Sequence, residues 1–113
     1  METKLTPEEL FKNIISDVVK PFILVIGNNA IQLMQDFSNE FMKNNPGIIK
    51  IDKRGPELDF KFKSIVKDKD KIKILSNFIV SLRKLYINEI GSVTNKMIDF
   101  VVNDYNTKYN LKL

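Results

Sequence analysis

The feature that most constrains this chain is a change of hydrophobic period. Apolar residues recur at three- and four-residue spacing in two long segments, and at two-residue spacing in the short stretch between them. Three- and four-residue spacing builds one face of a helix, and alternation builds one face of a strand.

The first helical segment opens on Thr6-Pro7-Glu8-Glu9. Thr6 caps, Pro7 suits the first helical position, and Glu9 closes a capping box. Leu10, Phe11, Ile14, Ile15, Val18 and Val19 follow at helical spacing. Pro21 is expected to break or kink this helix, because its ring opposes the preceding turn. Ala30, Leu33, Met34, Phe37, Phe41 and Met42 resume the spacing, and Asn44-Asn-Pro-Gly47 ends it.

In the middle, Ile49 and Ile51 alternate with Lys50 and Asp52, and Leu58, Phe60 and Phe62 alternate with Asp59, Lys61 and Lys63. With Gly55-Pro56 between them, these runs predict a β-hairpin over residues 48–63 with one buried face and a positive φ at Gly55. Lys67-Asp-Lys-Asp-Lys71 reads as a charged linker. Leu75, Phe78, Ile79, Leu82, Leu85, Tyr86 and Ile90 then form a helical stripe. Gly91 breaks it, Ser92 is a candidate cap, and the last helix carries Val93, Met97, Phe100, Val101, Val102, Tyr105 and Tyr109.

The expected fold class is therefore α+β and helix-dominated, in the order α-α-β-β-α-α. A central β-hairpin sits between helical arms at residues 7–45 and 70–110, all within a single domain. Residues 20–41 and 84–105 also align without gaps. Lys20, Ile23, Ile26, Gly27 and Asn39 match Lys84, Ile87, Ile90, Gly91 and Asn103. Either the arms are a duplicated helix–Gly–helix unit about a pseudo-twofold axis, or two Ile-rich amphipathic helices resemble each other by composition.

Composition narrows the function. The 113 residues include no Cys and no His. That removes disulfides, thiolate nucleophiles, the imidazole base and the usual zinc ligands. No cofactor and no metal are expected, and the chain is not expected to be an enzyme. Asp36 and Glu40 share a helix face and Asp52 and Asp59 oppose each other in the predicted hairpin. Gln32 and Lys43 flank the first pair, and cross-strand ion pairing accounts for the second. The longest apolar run, Phe22-Ile-Leu-Val-Ile26, falls far short of the ~20 residues of a membrane span. The polar start of the chain does not resemble an export signal. A cytoplasmic protein without a membrane partner is the expectation.

Two features suggest partners. The terminal helices carry more apolar surface than one core contact needs, which predicts a homo-oligomer or a protein partner held through Met97, Phe100, Val101, Tyr105 and Tyr109. The bland alternative is a bundle in which these helices are central. Second, residues 50–73 hold nine basic and five acidic side chains, whereas the rest of the chain is balanced at nine of each. Lys50, Lys53, Arg54, Lys61 and Lys63 are accordingly candidate contacts to an anion or a nucleic acid. The preceding helical stretch, 28–45, has Lys43 as its only basic residue beside Asp36 and Glu40. This favours a solvated hairpin edge guarded by lysines. A protein-interaction or regulatory module is thus the leading expectation, and a nucleic-acid-binding regulator the alternative.

Overall fold

The computed structural model describes residues 5–113; Met1–Lys4, the start of the stretch read as lacking an export signal, lie outside it. The order is α1 (Pro7–Ile26), α2 (Asn29–Lys43), β1 (Ile48–Arg54), β2 (Glu57–Phe62), α3 (Asp68–Glu89) and α4 (Thr94–Tyr109). It is the helix-dominated α+β arrangement with a two-stranded antiparallel hairpin.

Helix α1 begins as its sequence dictates. The Thr6 hydroxyl accepts from the Glu9 N–H at 3.2 Å while the Glu9 carboxylate reaches back to the Thr6 N–H. The helix does not end at Pro21. It runs unbroken for 20 residues to Ile26, and the chain turns at Gly27 with φ 65°. Proline at position 21 removes the N–H that the Asp17 carbonyl would have received. The burial of Val18, Val19 and Phe22 on either side outweighs that loss. α1 is the central helix: it packs on α2, α3, α4 and β2.

The hairpin turns through Gly55 at φ 57°, as expected. Its inner face differs from simple alternation. Ile48 and Ile51 are buried, and Ile49 is 61% exposed. The cause is a register irregularity between Ile48 and Lys50, which reverses the facing of the strand's first residues. Leu58 and Phe60 complete the inner face. Phe60 meets Phe11 of α1 at 4.9 Å and Phe78 of α3 at 5.6 Å, both edge to face. Phe78 also meets Phe37 and Phe41 of α2 at 5.0 Å. This cluster seats the hairpin on three helices at once.

Two further expectations are corrected. Residues 68–71 are not linker but the first turn of α3, where Asp68 and Asp70 complement the helix dipole. Ser92 does not cap α4 with its side chain; the chain enters through a turn in which the Thr94 hydroxyl donates to the Gly91 carbonyl at 3.0 Å.

The similarity of the two arms extends into their packing. At the offset of 64, the buried residues Phe11, Ile14, Ile15, Val18, Phe22, Ala30, Met34, Ser38 and Phe41 fall on Leu75, Phe78, Ile79, Leu82, Tyr86, Thr94, Ile98, Val102 and Tyr105, all buried. Gly27 and Gly91 both have positive φ. α1 packs on α4, and α3 on α2. Reciprocal packing of this kind follows when two equivalent helical pairs face each other. The extra buried positions of the first arm, Leu10, Ser16 and Val19, belong to the helix that carries β2.

Candidate functional site

In α4 the buried positions are Thr94, Ile98, Val102 and Tyr105. Phe100 stands two residues beyond Ile98, about 200° around the helix, so it points away from the core. Leu24 bears the same relation to the buried Phe22 in α1. These two side chains are 79% and 90% exposed. They lie in one open groove of about 450 Å³. α1 supplies Asp17, Lys20, Pro21 and Leu24 to it, and α4 supplies Phe100, Val101, Asp104 and Tyr105.

The groove is anchored by Tyr105, whose hydroxyl donates to Asp17 Oδ2 at 2.5 Å. Burial, the bond to Asp17 and that carboxylate's negative charge all hold the Tyr105 hydroxyl above its ordinary pKa. At the rim, Lys20 stands on one wall and Asp104 on the other. Both are surface ion-pair partners within their own helices, Lys20 with Asp17 and Asp104 with Lys108.

Of the five residues expected at an interface, the structure brings Phe100, Val101 and Tyr105 together in this groove. Tyr105 is buried and supports it from below. Met97 is half-buried against the core. Tyr109 stacks on Tyr105 at 5.9 Å but lines a separate hollow with Leu5, Pro7 and Ile72. Leu24, the most exposed large apolar side chain among the described residues, was not singled out by its sequence position. The signal was present in the apolar run 22–26, which holds more hydrophobic side chains than one helix face can bury.

The arms contain their own control. At the offset of 64, Leu24 corresponds to Asn88 and Phe100 to Asp36, whereas Lys20 corresponds to Lys84 and Asp104 to Glu40. At those four positions the second helix pair keeps the signs of Lys20 and Asp104 and is polar in place of Leu24 and Phe100, while Leu85 and Phe37 stand for Pro21 and Val101 and Ser81 for Asp17. The scaffold therefore does not require Leu24 and Phe100.

The basic hairpin is arranged differently from a continuous cationic face. Lys50 lies opposite Lys61, but the next row outward is Asp52 opposite Asp59. Asp52 pairs with Lys50 at 3.1 Å, and Asp59 and Glu57 with Lys12 of α1 at 3.7 and 3.5 Å. These acids are thus neutralised within β1 and from α1, not across the strands. Lys53 and Arg54 are exposed near the turn, on the far side of that acidic row, and Lys63 follows the end of β2. Asp36 and Glu40 are occupied by Gln32 at 2.8 Å and Lys43 at 3.2 Å. Among the described residues no cluster of metal-ligating side chains occurs, and no helix is long and apolar enough to cross a membrane. No protein-family model matches this chain, and neither a curated protein nor a solved structure does.

Proposed function

We propose that this protein is a non-enzymatic interaction module that self-associates through the groove between α1 and α4. The observation that carries this reading is the exposure of Leu24 and Phe100 at sites where the second arm carries Asn88 and Asp36. Exposed apolar side chains gathered in one groove are stabilised by removal from water, and a polar counterpart at the same scaffold position is not. A second copy suits the site because Lys20 on the α1 wall and Asp104 on the α4 wall carry opposite charges, with Asp17 turned to the Tyr105 hydroxyl. A twofold contact that sets Lys20 of each copy towards Asp104 of the other adds two reciprocal pairs to those each residue makes within its own helix.

Sedimentation equilibrium on the double variant Leu24→Asn plus Phe100→Asp tests it. Both side chains are solvent-exposed, so the fold is expected to persist while association weakens by at least about tenfold, given ~1.5–3 kcal/mol for each large apolar side chain buried. Association unchanged by the double variant would sink the assignment of this face. The nucleic-acid alternative gains the Lys50–Lys61 row, but the Asp52–Asp59 row divides that patch from Lys53 and Arg54 and weakens phosphate contact.

A further inference from the structure

A second exposed apolar feature lies at the base of the hairpin, outside both arms. Between β2 and α3 the chain makes a tight turn in which the Val66 N–H donates to the Lys63 carbonyl at 3.0 Å. The central residues of that turn are Ser64 and Ile65. Such positions favour Ser, Asn, Asp and Gly. Ile65 is instead an aliphatic side chain 82% exposed at the apex. The turn is held against β1 by two contacts: the Lys63 N–H donates to the Gly47 carbonyl at 2.8 Å, and Val66 packs so closely on Gly47 that a Cβ there would lie 3.1 Å from its Cγ2. Both contacts are to the residue just before β1, and Ile49, two residues further on, is turned outward by the strand irregularity. Lysines flank the apex in sequence and outnumber the exposed acids of the same stretch, Asp68, which pairs with Lys71, and Asp70. Lys61 and Lys63 precede it and Lys67 and Lys69 follow, all exposed, and none makes an ion pair among the described residues.

We propose that this turn docks on an anionic lipid bilayer surface, with Ile65 entering the acyl boundary and the four lysines facing the headgroups. The short apolar run of the chain argues against a spanning helix and leaves surface docking open. Unpaired lysines are attracted to anionic headgroups, and an aliphatic side chain gains by leaving water for the acyl region. Nucleic acid supplies the negative charge but no aliphatic phase for Ile65, so the lipid surface is the better complement. The site is separate from the α1/α4 groove. Phe62 at the hairpin base packs on Phe11 near the start of α1, about 20 Å along the helix from Leu24.

Co-sedimentation of the full chain with vesicles tests the proposal. Binding is expected to vesicles rich in phosphatidylserine and not to vesicles of phosphatidylcholine alone. Ile65→Asp is expected to lower the partition by about tenfold, and Lys63→Glu plus Lys67→Glu to remove it. Ile65→Phe should retain or strengthen it. Equal binding to both vesicle types, binding indifferent to Ile65→Asp, no binding to either, or binding to duplex DNA without binding to vesicles would each overturn it.

Discussion

The rings of Phe22 and Tyr86 meet at 4.5 Å with a 43° tilt, and the two residues hold the same place in the two arms. The contact joins α1 to α3 through two fully buried side chains. The tyrosine departs from its counterpart by one hydroxyl, which donates to the Ala30 carbonyl at 3.0 Å. Tyr86→Phe keeps the ring and removes only that bond, so it is expected to cost about 1 kcal/mol. Tyr86→Ala removes the packing as well and is expected to cost about 3–5 kcal/mol. Urea unfolding of both variants checks the ratio.

The aromatic cluster under the hairpin gives a second expectation. Phe60 touches α1 and α3 through Phe11 and Phe78 and stacks beside Phe62 at 6.0 Å. Phe60→Ala is expected to cost about 3–5 kcal/mol, a large part of the 5–15 kcal/mol typical of a domain. Lys53→Ala, on an exposed side chain of the same hairpin, is expected to change stability by less than about 0.5 kcal/mol. Thermal unfolding followed by circular dichroism separates the two.

Alkaline pH provides a third test. Burial raises the pKa of the Tyr86 hydroxyl, and burial together with Asp17 raises that of Tyr105. The unfolded tyrosines lose their protons near pH 10, while the folded ones keep theirs. The unfolded state therefore holds fewer protons above that point, and stability falls as pH rises. Stability from this source is expected to be fully present below about pH 9 and to decline through pH 10 and above. The decline should be shallower in Tyr86→Phe plus Tyr105→Phe. Unfolding midpoints measured across this range in wild type and variant decide it.

Gly91 has φ 124°, a conformation that side chains disfavour, although a Cβ there would meet nothing within 4 Å. Gly91→Ala is therefore expected to destabilise through backbone strain alone, by about 1–3 kcal/mol. A neutral result in chemical unfolding would show that the junction relaxes.

Much of the fold was legible because each element follows its own period. The capping box at Thr6, the stripe from Leu75 to Tyr86 and the turn at Gly55 needed no tertiary information. Elsewhere, long-range packing decided. Pro21 is carried through α1 because Phe22 is buried against α3, a contact no local rule anticipates. Ile49 faces outward because β1 slips register against β2, which alternation within β1 alone cannot reveal. The candidate site was half legible for the same reason. Phe100 and Val101 stood out as surplus on α4, but Leu24 joins them only because α1 and α4 lie side by side. Tyr105, expected as a contact residue, lines the groove as a buried side chain whose hydroxyl is bonded to Asp17 across it.

Self-association through the α1/α4 groove is tested most directly by light scattering coupled to size exclusion over a concentration series. It should be run at low and moderate salt, because an apolar contact persists where surface charge pairs are screened. The expected result is a mass rising with concentration towards twice the 13.1 kDa of one chain at both salt levels. A mass of one chain at every concentration would contradict the assignment.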